Sequence, residues 1–216
     1  MSTTYTAGLV TSPEPLPAKR KPAFGCLLEI IETLVLTLVI FWLIQSFVAQ
    51  PFRVEQESMR RTLEPDQYVL VDKLTPRFDP YKRGDIVVFS PPEVWASGQG
   101  QPFIKRVIGV GGDTVEIKDG GVLLNGIKLL EGQYVYREDD GSTQETTQIG
   151  SESRWVVPDG QVFLMGDHRG DSADSREFGP VPVSTVIGRA WLRYWPLDTF
   201  TILPTPRHEE LATPAP

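Results

Sequence analysis

The sequence predicts a mostly β fold, a curled or barrel-like sheet domain carried on one N-terminal membrane-spanning helix. Two observations carry that expectation: a long uncharged apolar segment near the N-terminus, and beyond Pro51 a succession of short runs rich in Val, Ile, Tyr and Phe separated by turn residues. With 216 residues, 40% hydrophobic and 23% charged, the chain sits in the ordinary globular range. Its net charge of -7 opposes a sequence-independent grip on phosphate backbones, which argues against nucleic acid as a partner. A single cysteine, Cys26, excludes an internal disulfide and any multi-cysteine metal site, and two histidines, His168 and His208, leave little for a histidine-based one. No metal is expected; any such chemistry would fall to carboxylates.

Residues 1–24 form a Pro/Ser/Thr-rich leader of net charge +2 without apolar periodicity, expected to be flexible and cytoplasmic. Residues 25–49 are the transmembrane segment. Thr33 to Ala49 is an uncharged run of 17 residues, and a start near Cys26 lengthens it to 24, enough to span a bilayer. A buried core helix is the other reading, but apolar residues occupy every face from Leu34 to Ile44, and the basic cluster Lys19, Arg20 and Lys21 lies on the N-terminal side. That bias puts the N-terminus in the cytoplasm and everything after Gln50 across the membrane. Glu29 and Glu32 fall in the first turns, near the interface. The run continues to Ala49 until Gln50-Pro51 breaks it, without the small-residue cleavage site of a secretory signal, so it reads as an uncleaved single-pass anchor in the cell membrane.

Residues 50–204 form the extracytoplasmic β domain, with strands expected at 68–71, 85–89, 103–110, 114–117, 121–124, 155–157, 162–165 and 186–194. Asp119-Gly120, Asn125-Gly126, Asp140-Gly141 and Pro158-Asp159-Gly160 mark turns between them. No helices occur at the spacing a parallel βαβ sheet requires. Residues 138–153 are polar and lack alternation, which predicts a mobile excursion between strands, and residues 205–216 read as a flexible tail.

Ser58 follows Ala49 by nine residues, so even an extended connection keeps it within roughly 30 Å of the membrane exit. A serine outside regular structure more often caps or bonds a turn, and as a nucleophile it needs a base. His208 lies in the Pro-rich tail and His168 in a loop. Lys105 is different: strand alternation puts Phe103 and Val107 on its own side. If buried there, its ammonium loses hydration, its pKa falls, and the neutral amine can accept a serine proton. A third cluster, MGDHRGDSADSREFGPVP at 165–182, contains Asp167, Asp171 and Asp174. It reads either as a cation loop, for which it lacks EF-hand spacing, or as a tight loop of Asp-Arg pairing that supports a neighbouring site.

In order, the anchor, SMRRTL at 58–63, RGDIVVF at 83–89, FIKRVIGVGGDTVEI at 103–117 and GDHRGDSADSR at 166–176 resemble the type I signal peptidase, or leader peptidase, family across almost the whole chain. The resemblance implies a membrane-bound serine endopeptidase, mostly β, that removes signal peptides from exported preproteins with a Ser-Lys dyad and no cofactor. It matches Ser58 to the nucleophile and Lys105 to the general base. Ser172 matches a serine that orients the lysine amine, Asp174 and Arg176 a supporting ion pair, and Met59 a residue lining the substrate groove. The backbone N–H of Ser58 is then one oxyanion donor, and Gln56 occupies the position of the second.

Five positions depart from the family pattern. Arg61 stands where the block after the nucleophile has proline, Gln56 where serine or glycine is usual, and His168 where asparagine is usual, with Gly170-Asp171 in place of an Asp-Asn pair. Arg61 and Gln56 leave open an alternative, a non-catalytic membrane-anchored β domain that binds exported peptides. A second rival is a serine hydrolase using His168 as base.

Overall fold

The computed structural model describes residues 23–92, 95, 100–206 and 208–212. Most of the leader and the last four residues of the tail lie outside these. The chain divides between Phe41 and Trp42 into two compact units. Among the described residues, the first holds helix α1, Ala23–Leu43, most of which falls in it. Among the described residues, Cys26–Val48 is long and apolar enough to cross a membrane, and its large apolar side chains are exposed throughout. Its threonines do not break the pattern, because Thr33 Oγ1 donates to the Glu29 carbonyl and Thr37 Oγ1 to that of Thr33.

The helical run ends at Val48, one residue before the expected end. One π-helical turn, Ile44–Val48, follows α1, and the backbone is already extended at Ala49, where β1, Ala49–Arg53, begins. Pro51 thus sits inside a strand rather than at a helix end. It is tolerated because β1 is an edge strand, where a missing N–H faces no partner.

The second unit is built of antiparallel sheets. The larger contains β1, β2 (Tyr68–Asp72), β3 (Ile86–Phe89) and β4 (Phe103–Val110), joined by four strands from later in the chain. These are β9 (Gln161–Met165), β10 (Val181–Pro182), β11 (Val186–Trp195) and β12 (Thr201–Ile202), in the order β1-β2-β11-β3-β4-β9-β10 with β12 paired to β11. The smaller sheet has β5 (Thr114–Lys118), β6 (Gly121–Leu124), β7 (Ile127–Lys128) and β8 (Arg154–Val156), in the order β7-β6-β5-β8. Its hairpins turn where expected: Asp119 and Gly120, then Asn125 and Gly126, all have positive φ, the geometry of a tight two-residue connection. The larger sheet curls at bulges in β11, where register shifts between Val186 and Gly188, Ala190 and Leu192, and Arg193 and Trp195.

Strand β4 is buried on both faces. Phe103 and Val107 join one apolar cluster with Val87, Phe89 and Leu164; Ile104 joins a second under β2 and β11; Ile108 joins a third with Val115, Trp155 and Phe163. A strand so placed leaves no solvent face for its charged residues. Lys105 and Arg106 therefore both lie in the interior, on opposite sides of the sheet.

Two segments expected to be loose are anchored at single residues. Residues 138–153 hold no regular strand, yet Thr146 is buried and accepts a hydrogen bond from Arg169, and Gln144 Oε1 accepts one from the Gly170 N–H. The stretch read as a flexible tail docks over its described part: Leu211 packs on the third cluster and Glu210 accepts from the Leu130 N–H.

Gly188, at the first β11 bulge, approaches β2 so closely that an added Cβ would overlap the Asp72 carbonyl and lie 2.7 Å from Val71 Cγ1. Gly188→Ala is expected to cost about 1–3 kcal/mol, measured as a lower urea midpoint with unchanged slope.

Candidate active site

Ser58 sits on a 3-10 turn, Glu57–Met59, that follows an extended approach through Val54 to Gln56. Apolar anchors fix this turn: Met59 and Leu63 are fully buried with Val54 in the cluster beneath β2 and β11. Backbone bonds from Arg60 to Glu57, and from Thr62 and Leu63 to Met59, close it. The Ser58 side chain is thereby turned toward β4, where Lys105 waits with 1% of its surface exposed.

Lys105 Nζ lies 2.5 Å from Ser58 Oγ. Charged, the ammonium donates to the hydroxyl; neutral, the amine accepts from it. Burial pushes the lysine down to about 8 from an ordinary 10.5, with Arg176 acting in the same direction and Asp174, Asp167 and Asp171 opposing it. The Phe103 ring centroid lies 5.2 Å from Nζ, the apolar neighbour that alternation predicted.

The loop after β9 closes over this pair. The His168 N–H donates to the Ser58 carbonyl at 2.9 Å, and the Gly166 N–H donates to Asp174 Oδ2 at 3.1 Å. Gly166 allows that approach, since a Cβ there would stand 2.5 Å from the Ser58 carbonyl oxygen and overlap Ser172 Oγ. Ser172 Oγ is shielded from solvent but is outside hydrogen-bonding geometry, so the structure brings it beside the Ser58 backbone without a bond to Lys105. Arg176 and Asp174 form a bidentate buried pair, Nε to Oδ1 and Nη2 to Oδ2, both 2.9 Å. Burial pushes the Asp174 carboxyl up, but the Arg176 bonds, helped by the Gly166 N–H and the nearby Ser172 hydroxyl, outweigh it and hold the group below its ordinary value.

His168 is not placed as a base for Ser58. Its ring packs on Tyr136 at 4.2 Å between centroids, its Nδ1 is buried without a partner, and only its backbone reaches Ser58. Of the three aspartates read as a cation loop or as pairing groups, Asp167 and Asp174 are committed to Arg106 and Arg176, and Asp171 is exposed. No three ligating side chains converge on a metal position among the described residues.

Sequence reasoning passed over a second tier of residues. Arg106 is buried, donates to both Asp167 oxygens and to the Gly84 carbonyl, and stacks over Tyr134 at 4.3 Å. Thr62 donates to Asp167 Oδ2 at 2.5 Å. Arg169 forms a bidentate pair with Glu131 and donates through Nε to the Gly166 carbonyl. The available signal was Arg106 beside Lys105 in a strand without a polar face.

Two adjoining concavities open from the pair. One, of about 350 Å³, is lined by Glu55, Gln56, Ser58, Phe103, Lys105 and Asp171 among others. The other, of about 310 Å³, runs along β1 and is lined by Phe52, Val54, Met59 and Ile104, with Glu55, Gln56 and Ser58 shared. Met59 thus borders the groove, and Gln56 stands exposed at its edge.

The family model described as signal peptidase, peptidase S26, matches residues 27–195. The chain belongs to the signal peptidase family, peptidase S26. It is 38% identical over 191 residues to a signal peptidase I of Leptolyngbya laminosa, covering 87% of this chain and 89% of that one. To a probable signal peptidase I-1 of Synechocystis it is 38% identical over 185 residues, covering 82% and 89%. To signal peptidase I P of Bacillus subtilis subsp. natto it is 30% identical over 181 residues, covering 83% and 95%. Against the pattern of the signal peptidase family, the departure at position 61 acquires a structural meaning. Arg61 has a φ of 81°, a left-handed backbone that proline, fixed near -65°, is unable to adopt.

Two outcomes follow for stability. Asp174→Asn leaves the Arg176 charge buried without its counter-ion and is expected to cost about 3–5 kcal/mol, read by denaturant unfolding. Lys105→Met removes an amine that folding depresses. The wild-type penalty is therefore full below about 8 and is relieved as pH rises from there to the ordinary lysine value of 10.5. The melting-temperature advantage of Lys105→Met should be largest at pH 7 and shrink across that window.

Proposed function

We propose that the protein is a membrane-bound serine endopeptidase that removes signal peptides from exported preproteins, with Ser58 as nucleophile and Lys105 as general base. One observation carries the reading: the lysine amine is both dry and within 2.5 Å of the serine hydroxyl. A buried amine with a pKa of about 8 is neutral in roughly a tenth of molecules at pH 7 and in most above pH 9. In that form it takes the Ser58 proton as Oγ attacks the scissile carbonyl. The protonated amine then donates to the leaving amine, and an acyl-enzyme remains. Water, deprotonated by the same lysine, releases the second product and restores Ser58. The Ser58 N–H, and Gln56 beside it, are the donors assigned to the oxyanion. No cofactor enters these steps.

Relatives named signal peptidase I support the substrate class. The helix Cys26–Val48 is assigned as a single-pass anchor in the cell membrane, with Lys19, Arg20 and Lys21 holding the N-terminus in the cytoplasm and the β domain outside. A preprotein with its apolar segment in the bilayer then meets the cleft close to the surface. An extended substrate adds along the edge strand β1, and the concavity bordered by Phe52, Val54, Met59 and Ile104 accepts small side chains. Asp174 and Arg176 hold the loop that carries Ser172 against the site.

Purified full-length protein in detergent, incubated with a preprotein bearing an A-x-A site, should yield the shortened product. Ser58→Ala and Lys105→Ala should each lower the rate by about a thousandfold or more, whereas His168→Ala should retain most of it. Log rate should rise with unit slope and level off above about 8, because the base works only when deprotonated. A stable complex with no product, or a rate flat from pH 6 to 10, would contradict the assignment.

A further inference from the structure

Three residues beyond Ser58 the backbone enters the left-handed region at Arg61, a conformation that costs any side chain bearing a Cβ. The Arg61 guanidinium reaches across to a segment more than 70 positions later in the chain. Its Nη1 donates to the Val135 carbonyl at 2.5 Å and its Nη2 to the Gly132 carbonyl at 2.8 Å, while its own N–H donates weakly to Glu64 at 3.3 Å. We propose that Arg61 is a positioning residue for the reaction: by bridging the Gly132 and Val135 carbonyls it holds the turn that carries Ser58 at the place where Oγ meets the Lys105 amine.

That segment is itself tied to the site. Glu131 makes the buried bidentate pair with Arg169, and Arg169 Nε donates to the Gly166 carbonyl. Two residues on, the His168 N–H donates to the Ser58 carbonyl. Tyr134, between the two gripped carbonyls, covers the guanidinium of Arg106, the neighbour of Lys105 on β4. Arg61 therefore closes a ring that leaves the nucleophile's turn and returns to it through the loop over Ser58, with a branch to the strand bearing Lys105. The planar two-pronged guanidinium suits two carbonyls at once, which a single ammonium does not. Thr62 anchors the same turn to Asp167 and Arg193 on the other side. That second anchor keeps the turn folded when Arg61 is changed, so the effect falls on placement rather than on folding. Proton transfer between two groups at hydrogen-bond distance is steep in separation, and a misplacement of about 1 Å costs on the order of a hundredfold in rate.

The inference depends on Ser58 being the nucleophile, and the test separates the two claims. Glycine accepts the positive φ without strain, so Arg61→Gly removes the grip and spares the backbone. With the full-length chain and the preprotein assay, Arg61→Gly should lower kcat about ten- to a hundredfold, with KM within about twofold and the pH midpoint still near 8. Arg61→Lys, able to satisfy one carbonyl, should recover part of kcat. Wild-type kcat in Arg61→Gly, while Ser58→Ala is inactive, overturns the positioning role alone. So does a loss that appears in KM, or one that matches the fraction of molecules unfolded in a thermal melt. Cleavage unaffected by Ser58→Ala, or missing from the wild-type chain, removes the nucleophile assignment and this inference with it.

Discussion

The dehydration of one amine is the constraint around which the domain is organised. Lys105 lies on a strand whose two faces are both covered, so its side chain has no route to water except through the cleft at Ser58. Burial alone would be undone if an unpaired carboxylate stood nearby, because its attraction would restore the ammonium. The surrounding carboxylates are instead largely spent: Asp174 is held by Arg176 and Asp167 by Arg106. The pull of Asp174 on the lysine is opposed by the push of Arg176, and dehydration is left as the dominant influence. The ion pairs thus matter to the lysine less for attraction than for cancelling it.

Such pairs are poor sources of net stability, since each buried charge forfeits its hydration and the pair regains little more than that loss. Their value here is geometric. Arginine offers several donors in a fixed plane, and after meeting a carboxylate each buried guanidinium has donors left for a backbone carbonyl. Arg106 uses one on Gly84, Arg169 one on Gly166, and Arg176 one on Arg169. The Arg106 and Arg169 pairs become braces between segments distant in sequence, and the Arg176 pair braces the loop after β9 within itself. The braces converge on the loop that supplies the His168 N–H to Ser58, which gives the serine backbone a fixed height above the sheet.

The part of this that alternation and turn chemistry govern was legible in the amino-acid sequence. Strands at 103–110, 114–117 and 121–124 and the two tight turns between Asp119 and Gly126 have local causes, and the structure reproduces them within a residue or two. The helix stops one residue short of its expected end because Ile44 to Ala49 is uncharged and fits either conformation, and the departure into β1 comes from pairing with β2, a contact with residues up to 72. Two-residue strands such as β7, β10 and β12 carry no period to read. The excursion at 138–153 looked loose because its polar residues were counted as solvated, whereas Thr146 and Gln144 are partners for Arg169 and Gly170. Ser58 and Lys105 were reachable through a family resemblance; the Arg61 grip was not, because the pattern at that position describes a residue with the opposite sign of φ.

Glycine 166 joins these levels. A residue with a side chain there would push the loop away from both the Ser58 carbonyl and Ser172 Oγ. The displaced loop would withdraw the His168 N–H from Ser58, loosen the Asp174 carboxyl that the Gly166 N–H holds, and uncouple Arg169 from the Gly166 carbonyl. Each effect would admit water or a bare charge toward the lysine. Close packing of backbone on backbone at one glycine is therefore an electrostatic device: with no room for a methyl group there is none for a water molecule, and the amine at the end of the cleft stays dry.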